Sequence, residues 1–153
     1  MPTDFASVSP TDTPAEADVR AILAGDGVHV VHFWAPWCRN SLDELDAGWP
    51  ELVARHADVA FTFVTVWNGG ASGAGVLAAR GLDADRVAEV VATGDGSHED
   101  KAGRRHHFLG LPLTWIPSTW VFHKHGQLAF ALNYGEMTPE TLGALIGAAG
   151  QSW

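Results

Sequence analysis

The chain is predicted to adopt an α/β fold around a mixed sheet, and three observations carry that expectation. Residues 28 to 34 form an apolar run of β-branched and aromatic residues, a helical pattern follows from Ser41, and residues 61 to 67 form a second, alternating run. Two strands joined through a helix pair in parallel, because the crossover returns the chain in its original direction. Farther on, Trp120–His123 and Leu128–Leu132 flank Lys124-His125-Gly126-Gln127, which predicts a hairpin and therefore an antiparallel pair.

Taken in order, residues 1 to 12 are rich in Ser, Thr, Pro and Asp and are expected to be a flexible tail, leaving one domain over 13 to 153. Thr13-Pro14-Ala15-Glu16 places a hydroxyl at N-cap, proline at N1 and a carboxylate at N3, so a helix starts there, with Val19, Ile22 and Leu23 as its apolar face and Gly25-Asp26-Gly27 as its end. The first strand follows. The next helix is expected to run to about His56, broken or kinked at Gly48-Trp49-Pro50, where proline removes a backbone donor. Asn68-Gly69-Gly70 closes the second strand. A short helix from about Ser72 to Arg80, a strand over Val87 to Ala92 and a polar helix from about Ser97 to Phe108 are predicted next. Thr138-Pro139-Glu140-Thr141 repeats the helix-start chemistry, and Leu142, Leu145 and Ile146 dock the last helix.

At 153 residues the chain is long enough to bury a core without covalent staples. Its net charge of −9, from 18 acidic and 9 basic residues, argues against a nucleic-acid surface. The N-terminus carries no basic segment followed by an apolar run, so no secretory signal is read there, and no stretch approaches a membrane span. With a single cysteine, no internal disulfide forms, and the chain as it stands reads as cytoplasmic, where free thiols persist; a cell-envelope location follows if a signal segment has been removed.

That cysteine is the most informative residue. Cys38 falls where the first strand gives way to a helix, and unpaired N–H groups at a helix start, with the macrodipole, favour thiolate over thiol. The run Trp34-Ala35-Pro36-Trp37-Cys38-Arg39-Asn40-Ser41 resembles the Trp-x-x-Trp-Cys-x-x-Cys signature of the TlpA/ResA-like branch of the thioredoxin-like superfamily, with Ser41 in place of the second cysteine. A second segment, Leu113-Thr114-Trp115-Ile116-Pro117-Ser118-Thr119-Trp120, looks like the one in which that family carries a cis-proline facing the active cysteine, and Pro117 occupies its position. The resemblance implies a three-layer α/β/α sandwich and thiol–disulfide chemistry. It also implies a groove formed by Trp37, Ile116 and Pro117, with Arg39 adding positive potential and Glu44, three residues after Ser41, matching a glutamate common in TlpA-like proteins. His32 stands where thioredoxins carry a buried aspartate and TlpA-like proteins often an asparagine, and Asn40 replaces a frequent proline.

In a dithiol the second sulfur releases the mixed disulfide made by the first; Ser41 cannot do so. The expectation is therefore a monothiol: Cys38 as nucleophile, Ser41 hydrogen-bonding its thiolate, His32 accepting or relaying a proton beneath the helix, and an external thiol such as glutathione, or a protein thiol, resolving the adduct. The rival reading is a non-catalytic interaction module that keeps the fold and has lost turnover. A thiol peroxidase lacks its usual Thr and Pro placement here. His98, His106, His107, His123 and His125 lack zinc-like spacing, so neither metal nor cofactor is expected, although His123 and His125 would share one face of a strand.

Overall fold

Thr13 opens helix α1 (Pro14–Leu23) with a capping box: its hydroxyl accepts from the Glu16 N–H while the Glu16 carboxylate accepts from the Thr13 N–H. The computed structural model describes residues 4–152. Strand β1 (His29–Trp34) follows, buried along its whole length. The predicted motif helix is two helices, α2 (Arg39–Asp46) and α3 (Trp49–Arg55). The break lies at Gly48, whose φ of 134° suits only glycine and which is the N-cap of a helix with Pro50 in its first turn. Strand β2 (Ala60–Thr65), short helix α4 (Ala74–Ala78) and strand β3 (Ala88–Val91) come next.

The polar helix predicted over 97 to 108 is absent. That segment runs as turns into a two-stranded ribbon of β4 (His107–Phe108) and β5 (Leu111–Pro112). The carbonyls of Ser97 and His98, which a helix would pair with amides four residues on, accept instead from the Arg104 side chain, and Gly96 holds φ 75° at the segment's start. Strand β6 (Ser118–Phe122), strand β7 (Leu128–Asn133) and helix α5 (Pro139–Ala149) complete the chain. Because β6 ends at Phe122, His123 and His125 lie in the following turn rather than along one strand face, with ring centroids 5.1 Å apart.

The main sheet has the order β3-β2-β1-β6-β7, with β1 parallel to β2 and β2 to β3, and with β6 antiparallel to both β1 and β7. Alternation along β1 splits the core. Val31 and Phe33 face a cluster that includes Val19 and Leu23 of α1 and Phe108 of the ribbon. Val30 and Trp34 face one built from Leu45 of α2, Trp49 and Leu52 of α3, and Leu142 and Ile146 of α5. Two helical layers thus sandwich a central sheet, the three-layer arrangement expected.

Part of the segment expected as a tail touches the core. Residues 1–3 lie outside the described residues, as does 153; within residues 4–12, Phe5 is buried with its ring edge-on to Phe122 at 5.5 Å, while Val8 is 62% exposed. Arg20 of α1 fixes the approach, donating to the Asp12 carboxylate at 2.8 Å and to the Phe5 carbonyl at 3.2 Å. One buried aromatic and an ion pair shielded from water outweigh the polar composition of the segment.

Candidate active site

Strand β1 ends at Trp34, and the chain turns through Ala35–Cys38 before α2, the Cys38 N–H closing the turn on the Ala35 carbonyl at 3.1 Å. Cys38 is the N-cap of α2, in extended conformation, and its carbonyl accepts the Leu42 N–H at 3.1 Å. Its thiol is free and half-buried, and it makes no capping hydrogen bond. Cys38 thus directly precedes the first helical turn, whose amides lack intrahelical partners.

The second strand segment reaches the same end of the sheet. The ladder pairs Phe33 with Ser118, so Pro117 lies one step beyond it, next to the point where the Cys38 turn departs. The Ile116–Pro117 bond is cis, and both residues are buried. Ile116 belongs to the cluster against which Trp37 and Cys38 pack. Trp115, just before them, is 54% exposed. Sequence reasoning gave Trp115 no role, although the motif segment contains it.

Ser41 is corrected in its partner. It is fully buried, and its hydroxyl accepts the Ala35 N–H at 3.3 Å instead of bonding the Cys38 sulfur. The reason is geometric: its side chain points under α2 toward the start of the turn, where a buried amide needs an acceptor. Arg39 is 88% exposed and pairs with Asp43 at 3.4 Å, so its charge is largely screened from the site.

His32 does lie beneath α2, on the face of β1 shared with Val30 and Trp34, but it bonds elsewhere than expected. Its Nδ1 is 2.8 Å from the Thr119 hydroxyl, and its Nε2, with no hydrogen-bond partner, faces Glu44 Oε1 at 3.7 Å. Trp49 and Phe63 wall the ring at 4.6 and 5.0 Å. Complete burial pushes His32 down to about 3, so the imidazole is neutral. Glu44 is also buried rather than lining an open groove, and burial raises it to about 7 against the opposing hydrogen bond donated by Trp49 Nε1 at 3.2 Å. Below that pH the His32–Glu44 contact joins two neutral groups and is not an ion pair. No hydrogen bond links His32 to Ser41 among the described residues.

Trp37 is half-buried against the 93–110 segment, its indole N–H donating to the Trp67 carbonyl at 2.8 Å. The Arg104 guanidinium lies over both indoles, 5.0 Å from Trp37 and 5.1 Å from Trp67. Neither Arg104 nor Trp67 was legible as a neighbour of Trp37, since each reaches it only through loop geometry. Among the described residues no group of three or more His, Cys, Asp or Glu is placed to hold a metal, and no helix is long and apolar enough to cross a membrane.

Neither a family model nor a curated protein matches the sequence. Solved structures do. A secreted Mycobacterium tuberculosis disulfide oxidoreductase, described as homologous to E. coli DsbE, superposes with a TM-score of 0.58 at 17% identity, over 84% of this chain and 86% of its own. A DsbF homologue from Corynebacterium diphtheriae gives 0.57 at 20%, over 80% and 72%. StoA from Bacillus subtilis gives 0.53 at 19%, over 78% and 81%. Likeness at this level of identity is likeness of fold, and the fold is thioredoxin-like.

Proposed function

From a thioredoxin-like fold as premise, we propose that this chain is a monothiol thiol–disulfide exchange protein with Cys38 as its nucleophile. The observation that carries the reading is the half-exposed thiol at the start of α2, at the end of the sheet where the Ile116–Pro117 segment also arrives. The Cys38 thiolate attacks one sulfur of a disulfide R–S–S–R′, forming Cys38–S–S–R and releasing R′S⁻, which takes a proton from solvent. An external thiolate, from glutathione or a partner protein, then attacks the R sulfur, forms a new disulfide with it and returns Cys38 as thiolate. Ser41 holds the turn from which the sulfur projects, and Trp37, Ile116 and Pro117 border the adduct. Exchange of this kind suits a reducing compartment, where a lone thiol stays free; the secreted neighbour from M. tuberculosis supports the cell envelope as the other setting.

The interaction-module reading is favoured by one observation: Ser41 is built into the turn as a structural acceptor, so no vestige of a resolving step remains. Turnover separates the two. Purified protein is incubated with a glutathionylated peptide and free glutathione, and release of the peptide thiol is followed. Exchange faster than for Cys38→Ser, with a Cys38–glutathione adduct visible by intact mass, supports the function; equal rates for the two proteins overturn it in favour of the module.

A further inference from the structure

Arg104 is distant from Cys38 in sequence, yet it contacts the residue next to it. Three restraints meet on Trp37: the indole N–H donates to the Trp67 carbonyl at 2.8 Å, the Arg104 guanidinium covers the ring at 5.0 Å, and the His98 ring lies 4.4 Å away. The other side of this grip is itself held. Trp67 occupies φ 54°, a region that bulky residues adopt only where their surroundings over-determine it. Its N–H donates to the Asp95 carboxylate at 3.0 Å, its indole N–H to the Arg105 carbonyl at 3.0 Å, and His106 packs edge-on at 5.6 Å.

Between these two indoles the orientation of Arg104 is pinned, Nε donating to the Ser97 carbonyl at 2.9 Å and Nη2 to the His98 carbonyl at 3.1 Å. Only a planar, multi-donor cation bridges two carbonyls and stacks on two rings at once, which lysine cannot do. Cys38, one peptide beyond Trp37, has no capping hydrogen bond of its own. The direction of its sulfur is therefore set by the backbone of the Ala35–Cys38 turn, and so by whatever holds Trp37.

We infer that Arg104 is a positioning residue for Cys38: gripped between Trp37 and Trp67, it holds Trp37 and thereby the angle from which the sulfur meets a disulfide. The inference rests on Cys38 being the exchanging thiol and makes the 93–110 segment a working wall of that site.

The test compares the parent with Arg104→Lys and Arg104→Ala. One readout is the second-order rate of Cys38 with 2,2′-dithiodipyridine, a neutral disulfide whose approach does not depend on the lost charge. The other is hydrogen exchange of the Trp37 indole N–H, with that of Trp49, bonded to Glu44 beneath α2, as internal control. Both variants are expected to slow the reaction about tenfold and to speed Trp37 exchange by a similar factor, with Trp49 unchanged. Arg104→Lys at the parent's rate, or a Trp37 indole as protected as in the parent, overturns the inference; so does equal loosening of Trp49, which means general destabilisation. Failure of the exchange function registers separately, as a parent that turns over no glutathionylated peptide while its probe rate still depends on Arg104.

Discussion

The hydroxyl of Ser41 accepts the backbone N–H of Ala35 at 3.3 Å, tying the first turn of α2 to the end of β1. Both residues are fully buried, so the amide has no water to turn to. With the Cys38 N–H on the Ala35 carbonyl, the bond closes the four-residue turn that presents the thiol. Ser41 thereby supports the turn that carries Cys38.

Ser41→Ala removes that acceptor and leaves a buried N–H unpaired. At 3.3 Å the bond is long, so the loss belongs near the lower end of the usual penalty, about 1 kcal/mol. A urea titration is expected to show an earlier midpoint with an unchanged slope. A midpoint equal to the parent's means that the amide finds another partner and that Ser41 does not hold the turn.

Ser41→Cys places two thiols three residues apart at the first turn of one helix, a separation that a disulfide spans. Mild oxidation is expected to give an intramolecular bond, seen as a loss of two mass units and of both free thiols. A variant that instead dimerises through Cys38, or keeps two free thiols, would show that the buried Ser41 position cannot reach the sulfur and that the site is not a lapsed dithiol motif.

The parts legible in the sequence are those written in local chemistry. Thr13 and Thr138 begin helices because each hydroxyl accepts the N–H three residues on and the proline that follows it has no amide to satisfy. The strand, the turn and the start of α2 around Cys38 follow from the same local signals. The 97–108 segment fails for the opposite reason: Glu99, Asp100 and Lys101 suit a helix, but the carbonyls that would build it bond the Arg104 side chain, which itself answers to two tryptophans from elsewhere. Ser41 and His32 were singled out by position, yet their partners are set at longer range: Thr119 faces His32 across the β1–β6 ladder, and Ala35 and Glu44 come into reach through the packing of α2 on the sheet. Phe5 was hidden because one aromatic in a polar stretch has no period to reveal it.

Phe5→Ala tests that last packing contact. The ring is buried, edge-on to Phe122 and inside the cluster that α1 forms with the sheet. Removing it leaves a cavity lined by apolar residues, at a cost of about 3 kcal/mol. Equilibrium denaturation is expected to show the loss directly, whereas a change within experimental error would mean that the segment before α1 contributes nothing to the core.

The buried pair beneath α2 predicts an unusual pH profile. His32 is lowered from 6.5 to about 3, so the unfolded chain binds the extra proton and stability is lost as pH falls from 6.5 toward 3. Glu44 is raised from 4.5 to about 7, so the folded chain binds the extra proton; that contribution is full below 4.5 and is lost as pH rises to 7. Between 4.5 and 6.5 the two slopes, each about 1.4 kcal/mol per pH unit, oppose one another and nearly cancel. Glu44→Gln deletes one slope and keeps a neutral group of the same shape against Trp49 and His32. Relative to the parent, the variant is expected to lose roughly 2–3 kcal/mol as pH is lowered across that window, since every other titrating group is common to both proteins and drops out of the difference. Urea titrations of the two proteins at several pH values between 4.5 and 6.5 measure it; parallel profiles would mean that Glu44 takes up its proton no more readily in the fold than in the open chain, and that burial beneath α2 does not hold its carboxyl protonated.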